Sequence, residues 1–407
     1  MKKQDSALKK NNVLEAIKGL GSREGFKSVM SSVVAIIFGI IIGLFVMFIA
    51  SIFSKTNSIG DAFIGLGIIF AGPFSSGEGN ILLTIGDTIF YAVPLILTGL
   101  SVAIAFKTGL FNIGAPGQYL MGALGSLLVI YLVPTTNRAT GILVWVVAIL
   151  VGMLLGVLWG MIPGILKAIF GINEVIVCIM TNWIAANIVT WVFSAMESLH
   201  NVADGKAAYL IKPGATFNYT PSLGLNKIFA GSYIDIGIVI AILFAITIWV
   251  IMSKTVLGYE LKACGANRDS AKYAGLNEKK YIIISMGIAG ALAALGGCLY
   301  FLNPGIEMQY KSVYQNLPAY GFNGIPAALL ANCNPIGVIF SAMFIRYINA
   351  ASNYLSSAGF NQYFGDIIVA IIIYLAGFSR VFKDFIKIVA GWFKKKDSKK
   401  VNKGGNK

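Results

Sequence analysis

Long apolar runs separated by short polar segments dominate the chain from residue 29 onward. Most of them exceed the roughly 18 residues that separate a membrane span from a core helix of a soluble protein. Because backbone polar groups inside a bilayer must be satisfied within the protein, each run is predicted to be helical. The predicted fold is an all-α, polytopic transmembrane bundle of about 10 spans (8–10). The spans are predicted at residues 29–53, 81–106, 110–133, 141–162, 174–195, 234–252, 281–302, 318–332, 336–350 and 364–378.

Basic residues fall mainly on one side of this arrangement. The predicted inside segments hold 25 of the 32 Lys and Arg residues, against six in the predicted outside segments. Since positive charge marks the cytoplasmic side, both termini are predicted to be cytoplasmic. The predicted organisation is a basic N-terminal segment (1–28), a transmembrane domain (29–378) and a basic C-terminal tail (379–407). Residues 253–280 form a cytoplasmic loop and residues 196–233 an extracellular loop, which either receives a binding protein or is simply solvated.

Two regions are harder to assign. The stretch 61–74 is apolar, but it looks too short to cross and is expected to be re-entrant or interfacial. In 318–350, Pro326 and Pro335 flank the polar residues 332–334, so this region is either two full spans or a pair of broken half-helices.

Composition excludes several classes of protein. Apolar residues make up 57% of the chain and charged residues 12%, whereas soluble chains carry about 25% charged residues. The net charge of +15 is concentrated at the two ends, beside apolar spans. This distribution favours anionic headgroups of the lipid bilayer as the partner and argues against nucleic acid. Four scattered Cys and a single His predict no metal site and no disulfide framework.

A weak internal echo links the two halves. The sequence FNIGAP at 111–116 resembles FNGIPA at 322–327, each beside an apolar run interrupted by Gly and Pro. Paired interrupted segments are typical of transporters built from inverted repeats, with the pathway at the breaks. A chance match of six residues is the alternative.

The cytoplasmic loop contains a predicted short helix. Asn267 or Asp269 is suited to cap its start, and Gly275 is suited to a left-handed stop. The alternative is an ordinary amphipathic loop. The chain has no GxxxxGK[ST] phosphate loop, so any ATP that drives transport is expected to bind to another subunit, and no cofactor is expected here.

Several motifs in order give the chain a resemblance to a known family. The loop 258–275 and the small-residue run 289–297 resemble ABC-importer permeases of the branched-chain amino acid, ribose and nucleoside group. Similarity to the nucleoside branch is carried by LTGL (97–100), FKTGLFNIG (106–114), GQ (117–118), WGMIPG (159–164), GINEVI (171–176) and YGFNGI (320–325). The resemblance covers residues 81–378. Two positions depart from the family pattern: Pro116 replaces a usual Glu, and Pro326 replaces a small apolar residue. Because proline restricts the backbone, both breaks are expected to be stiffer than in the family pattern.

The resemblance implies a transport subunit of a bacterial cell membrane that is not itself an enzyme. Its implied partners are a second related permease, two cytoplasmic ABC ATPase subunits and an extracellular substrate-binding lipoprotein. The cytoplasmic loop would dock on the ATPase. Its predicted coupling residues are Glu260, Gly265, Asn267, Arg268, Asp269, Ala271 and Gly275.

A nucleoside substrate is neutral, so its pathway needs amides and flat apolar surfaces rather than fixed charge. The candidate pathway residues are Asn112, Gln118, Asn173, Glu174, Asn182, Asn323, Phe111, Trp183 and Phe322. The alternative for each amide is a hydrogen bond between helices, and for each aromatic residue packing. Glu174 could instead complement a helix dipole, and Arg346 could snorkel to the interface.

Two other substrate or energy classes stay open. Permeases for ribose or a related sugar share the coupling pattern, and an ion-coupled secondary transporter would also suit ten spans with inverted breaks. A membrane-bound enzyme is disfavoured because the sequence offers no catalytic constellation.

Overall fold

The computed structural model describes residues 24–53, 58–76, 80–196, 218–309 and 316–378. Within them the chain forms helices, which confirms the predicted all-α fold. The predictions for the N-terminal segment up to residue 23, for the tail 379–407 and for residues 197–217 of the extracellular loop lie outside the described residues.

The helices are numbered here in chain order. They are α1 (Glu24–Phe53), α2 (Ile59–Ala71), α3 (Ile81–Lys107), α4 (Ala115–Leu132), α5 (Arg138–Phe170), α6 (Glu174–Ala195), α7 (Leu225–Ile228), α8 (Gly237–Lys254), α9 (Val256–Ala266), α10 (Arg268–Tyr273), α11 (Glu278–Phe301), α12 (Ala319–Leu330), α13 (Pro335–Ser352) and α14 (Tyr363–Gly377). Two 3₁₀ turns, Gly72–Ser76 and Leu355–Ala358, follow α2 and α13.

Nine stretches of the described residues are long and apolar enough to cross a membrane. They are the part of α1 from Ser32, α2 with its 3₁₀ turn, α3, α4, α5, α6, α8, α11 and α13. This number lies within the predicted range, but the two sets differ in three places. Ile59–Ser76 is long enough although it is not among the predicted spans. The predicted spans 318–332 and 364–378 correspond to α12 and α14, which have 12 and 15 residues and are shorter than a typical membrane span. In addition, α5 is much longer than the predicted span 141–162, with 33 residues.

The predicted span 110–133 starts too early. Helix α3 ends in a Schellman motif, in which Leu110 N donates to Ala105 O (2.9 Å) and Gly109 N to Phe106 O (3.1 Å). Gly109 has the left-handed φ of 70° that this motif requires. Residues 108–114 are therefore not helical, and α4 begins at Ala115.

The region 318–350 contains one short and one long helix. With 12 residues, α12 is about 18 Å long, well short of the roughly 30 Å apolar core of a bilayer. It ends because Asn332 adopts a left-handed φ of 50°, a conformation that Asn tolerates. The Asn334 side chain then caps α13 by accepting from Ile336 N (3.0 Å) and Gly337 N (3.1 Å). The first predicted span is thus a half-helix, and only α13 is long enough to cross.

The expectation that 61–74 is too short to cross is wrong on length. The 3₁₀ turn continues α2 without a gap, so the helical stretch Ile59–Ser76 has 18 residues. The predicted stretch 61–74 is two residues shorter at each end than this helical stretch, and Pro73 is accommodated because it lies in the first turn of the 3₁₀ segment.

The chain divides into two compact units, Met1–Gly67 with Leu355–Lys407, and Ile68–Tyr354. In the first unit, α1 packs closely on α14. Added Cβ atoms at Gly39 and Gly43 would meet Ile372 and Ile368 within about 3.1 Å, so glycine permits this approach.

The second unit is built around α3, α4 and α11, most of which are buried. Its tightest packing joins α5 to α11 through small residues. A Cβ added at Gly160 would lie 2.9 Å from Gly290 Cα, and one added at Gly152 would lie 2.7 Å from Gly122 O on α4. Membrane helices associate largely by such close van der Waals packing, because lipid offers no hydrophobic contrast.

Candidate translocation site and coupling surface

The non-helical segment 108–114, called the first break from here on, is held by buried amides. Asn112 and Gln118 exchange two hydrogen bonds, from Asn112 Nδ2 to Gln118 Oε1 (2.8 Å) and from Gln118 Nε2 to Asn112 Oδ1 (3.0 Å). Asn112 Nδ2 also donates to Ser101 Oγ on α3 (3.0 Å), and Gly114 N donates to Asn112 Oδ1 (3.1 Å). Both amides are almost fully buried. In this state they hold the backbone of the break rather than line an open space.

Asn182 fixes the same break from a neighbouring helix. Its side chain, on α6, accepts from Gly117 N (2.8 Å) and donates to Ile113 O (2.9 Å). A backbone donor and acceptor that the break leaves without helical partners are thereby satisfied, as buried peptide groups require. Pro116 fits here without loss, because it occupies the first turn of α4, where its missing N–H has no helical acceptor.

The second predicted break, at the start of α12, lies against the first. Gly321 packs so closely on Pro116 that an added Cβ would come within 2.6 Å of Pro116 N. Thr98 Oγ1 on α3 donates to Tyr320 O (3.0 Å). The first motif therefore packs against the residue that directly precedes the second motif, which lies within α12. The origin of the two motifs as an internal repeat stays a prediction. Pro326 lies inside α12, where it removes one helical donor.

A cavity of about 300 Å³ lies beside the two breaks. It is lined by Ile179, Asn182, Trp183, Asn316, Leu317 and Phe322. Its volume is at the lower end of the range for small-molecule sites, and its wall mixes apolar surface with two amides. Three candidate pathway residues thus share one cavity: Asn182, Trp183 and Phe322. Asn323 is half-buried on α12, and Phe111 packs its ring on Phe106 at 5.2 Å.

Asn173 and Glu174 lie elsewhere, at the start of α6. Asn173 Oδ1 accepts from Val175 N (2.9 Å), which makes it the N-cap. Glu174 Oε2 forms an ion pair with Lys167 Nζ at 2.9 Å, near the end of α5. The carboxylate thus has a cationic partner as well as a helix N-terminus.

The predicted short helix in the loop 253–280 is confirmed. It is α10, and its cap is Asn267, whose Oδ1 accepts from Ser270 N (3.0 Å). Gly275 ends it with φ 84°, and Leu276 N donates to Ala271 O (3.0 Å) in a second Schellman motif. Ala271 is buried, whereas Asp269 is exposed and Glu260 is half-buried on α9. Asp269 is in the first turn of α10, where its charge suits the dipole.

This loop touches the first break directly. The Arg268 guanidinium donates to Gly109 O (3.0 Å). Gly265 packs on the same backbone, since a Cβ added there would be 2.9 Å from Gly109 N and still closer to Lys107 O. Ser285 Oγ on α11 donates to Thr108 Oγ1 (2.9 Å). A displacement of α9 and α10 would therefore be transmitted to the backbone at Lys107–Gly109.

The half-helix α12, the buried first break and the helical loop 253–280 that packs on this break agree with the comparison to known families. Residues 84–377 match the family described as branched-chain amino acid transport system / permease component. The chain belongs to this permease family. The match covers both breaks, the cavity and the loop 253–280.

The permease is similar to curated relatives over most of its length. The nucleoside ABC transporter permease protein NupB of Lactococcus lactis is 34% identical over 86% of this chain and 90% of its own. The guanosine ABC transporter permease protein NupP of Bacillus subtilis is 34% identical over 89% of this chain and 96% of its own. The glucose ABC transporter permease protein of Haloferax volcanii is 28% identical over 78% and 81%. No solved structure matches the permease.

Sequence reasoning missed an aromatic cluster in the permease. Tyr91, Tyr300 and Tyr320 come together from α3, α11 and α12, and the Arg346 guanidinium of α13 lies over the Tyr91 ring, 5.0 Å from its centroid. The sequence alone indicates Arg346 only as a residue that could snorkel to the membrane interface. The four residues come from four helices, so no spacing in the sequence could have indicated their meeting.

Asp235 is a further buried polar residue that the sequence alone did not indicate. It precedes α8, and its side chain is almost fully buried. Asp235 Oδ1 accepts from Gly237 N (2.8 Å), and Oδ2 accepts from Asn303 Nδ2 (2.9 Å). Burial raises the pKa of Asp235 to about 7, against the smaller lowering effect of these hydrogen bonds.

Proposed function

We propose that this permease is the membrane-spanning subunit of an ATP-driven ABC importer that carries nucleosides into a bacterial cell. The observation that carries the proposal is the 34% identity, over at least 86% of the chain, to two permeases named for nucleosides or guanosine. The cavity beside the breaks supports it, because its wall of amides and aromatic rings suits a neutral, flat, hydrogen-bonding solute.

In this proposal the candidate residues divide into two roles. Trp183 and Phe322 face the solute in the cavity, where Asn182 forms part of the wall while it holds the first break, and Asn323 and Phe111 join them when the breaks move. Asn112 and Gln118 hold the first break closed through their paired amides. Asn173 and Glu174 sit at the cytoplasmic end of the pathway, where the Lys167–Glu174 ion pair holds α5 to α6.

ATP hydrolysis belongs to partner subunits in this proposal, so the permease has no enzymatic activity of its own. Exposed apolar side chains on the cytoplasmic loop support a protein partner there. Val256 is 73% exposed, Tyr259 69% and Tyr273 94%. Large apolar groups on a free polar loop would be unfavourable, so their exposure indicates a surface that a partner covers. We assign this surface, with Glu260, Asp269 and Gly275, to the ATPase.

Transmission to the pathway would run through the contact at Lys107–Gly109. Gly265 and Arg268 press on this backbone, and Asn112 lies three residues beyond it. The Asn267 cap and buried Ala271 keep α10 a rigid body. ATP-driven movement of the docked loop would then shift the first break and alter the bonds that close it.

A second permease is proposed on the open face of α6. Trp183, Ile184, Asn187, Ile188 and Trp191 line a shallow groove on that face. An exposed amide such as that of Asn187 is better matched to a second protein chain than to lipid. An extracellular lipoprotein would deliver the solute, with both permease termini in the cytoplasm.

Sugar transport is the second candidate, because the relative from Haloferax volcanii is named for glucose. Labelled uridine and guanosine uptake should be measured in cells with and without the gene, with ribose and glucose as competitors. The proposal expects nucleoside uptake to depend on the gene and to resist both sugars. Nucleoside uptake that survives deletion would contradict it.

The energy source needs its own test. Deleting the gene for the ATPase subunit should abolish uptake to the same extent as deleting the permease gene. Uptake by the permease alone in liposomes under an ion gradient would instead establish a secondary transporter.

A further inference from the structure

The aromatic cluster has the composition of a ligand platform. The rings of Tyr300 and Tyr320 lie 4.8 Å apart, and those of Tyr91 and Tyr320 are parallel at 6.4 Å. Tyr91, Tyr300, Tyr320 and Arg346 are each only half-buried, so they keep surface that a solute could reach. They lie on α3, α11, α12 and α13.

Arg346 has an unusual environment for a membrane helix. Its guanidinium lies over the face of Tyr91, and its buried Nε has no hydrogen-bond acceptor among the residues that the structure describes. Among the described residues, the ion pair is Lys167–Glu174, and Arg346 takes no part in it. An intramembrane arginine carries a substantial free-energy cost and marks a functional site by default.

Asn349 adds a matching acceptor. It follows Arg346 by three positions on α13, so the two side chains share a helix face. Its Oδ1 is buried and, among the described residues, has no hydrogen-bond donor. One face of α13 therefore carries two buried polar atoms without a hydrogen-bond partner among the described residues, Arg346 Nε and Asn349 Oδ1, and the Arg346 guanidinium lies over the Tyr91 ring. Unsatisfied buried polar atoms are rare and call for an explanation.

We infer that Arg346, Asn349, Tyr91, Tyr300 and Tyr320 form a site that recognises the base of a transported nucleoside. This inference rests on the proposed nucleoside function. A purine or pyrimidine base is flat, neutral and carries both carbonyl acceptors and N–H donors. The tyrosines stack on its faces, the Arg346 fork donates to a carbonyl edge, and Asn349 Oδ1 accepts from a ring or exocyclic N–H.

The test uses the transporter with all its subunits, in cells that lack the native gene. Arg346→Lys keeps the positive charge but loses the planar fork, and Tyr320→Leu removes a stacking face. The control variants are Arg138→Lys, at an exposed position at the start of α5, and Tyr374→Leu, at an exposed position on α14. Guanosine and uridine uptake are measured over a range of concentrations, together with the amount of permease in the membrane.

The expected result for Tyr320→Leu is a KM about tenfold higher for both nucleosides, the order of effect seen when base-stacking residues are removed. For Arg346→Lys we expect the ratio of guanosine to uridine transport to change about fivefold or more, as for the loss of a planar contact to a base edge. Neither control should change KM or the ratio.

Other outcomes distinguish failure of the base-recognition site from failure of the proposed nucleoside function. If both variants lower the maximal rate equally for all nucleosides, with KM and preference unchanged, the cluster is packing and the inference is overturned while the proposed function stands. If the unmodified transporter carries sugars and no nucleoside, the proposed function itself fails. Should Arg346→Lys not reach the membrane, an unchanged KM in Tyr320→Leu and Tyr91→Leu would overturn the inference alone.

Discussion

Gly265→Ala should uncouple the ATPase from the transport pathway. The added methyl group would lie 2.9 Å from Gly109 N and nearer still to Lys107 O. Cβ atoms essentially never approach backbone atoms within 3.0 Å. Because both neighbours are backbone atoms, no side-chain rotation relieves the clash, and α9 must move away from the first break.

The expected loss of uptake is estimated from the cost of overpacking and from the hydrogen bond that the movement of α9 weakens. Overpacking by one methyl group typically costs about 1–3 kcal/mol. Separation of the two backbones would also lengthen the 3.0 Å bond from Arg268 to Gly109 O, and a hydrogen bond from a charged group contributes about 1.5–3 kcal/mol. A loss of about 1.4 kcal/mol in the coupled state corresponds to a tenfold lower rate, so we expect uptake to fall about tenfold or more.

The assay compares uptake with recovery of the ATPase subunit on affinity-purified permease. The exposed surface of the loop is unchanged in Gly265→Ala, so the ATPase should be recovered in normal amounts while uptake is lost. Gly67→Ala is the matched control, since it is also a helical glycine and nothing lies within 4 Å of an added Cβ there. Normal uptake by Gly265→Ala would refute the transmission route through Lys107–Gly109.

Three further predictions follow from other contacts. Arg268→Gln should reduce uptake without loss of ATPase binding, because it removes the bond to Gly109 O, whereas the exposed Lys272→Gln should have little effect. Asn182→Ala should lower the melting temperature of the purified permease, since two buried backbone groups lose their partner at about 1–3 kcal/mol each; an equal effect of Asn187→Ala would contradict this. Burial raises the pKa of Asp235 to about 7 from its ordinary 3.8, so its contribution to stability is present below pH 4 and lost as the pH rises through 7. The melting temperature relative to Asp235→Asn should fall over that range, and a constant difference would refute the assignment.

The helical bundle was predictable because its signal is local. Runs of about 20 apolar residues have few structural solutions in a membrane. The helix α10 was predictable for the same reason, since Asn267 and Gly275 signal its ends in the sequence itself. The choice between Asn267 and Asp269 as its cap needed the structure.

The first break was not predictable from hydropathy. Leu110, Phe111 and Ile113 are as apolar as a span, yet their backbone is non-helical. It is tolerated because Asn182, about 70 residues later in the chain, satisfies its backbone groups. Such tertiary support leaves no local pattern. The same applies to the tyrosine cluster, whose members come from three helices and whose arginine comes from a fourth.

Reconstitution of the purified importer tests the central claim most directly. The permease, its partner permease and the ATPase subunits would be placed in liposomes with ATP on the cytoplasmic side and the lipoprotein outside. The account predicts that labelled guanosine or uridine accumulates against its gradient only when ATP, the ATPase and the lipoprotein are all present. Accumulation without ATP, or accumulation of ribose or glucose but of neither nucleoside, would contradict it.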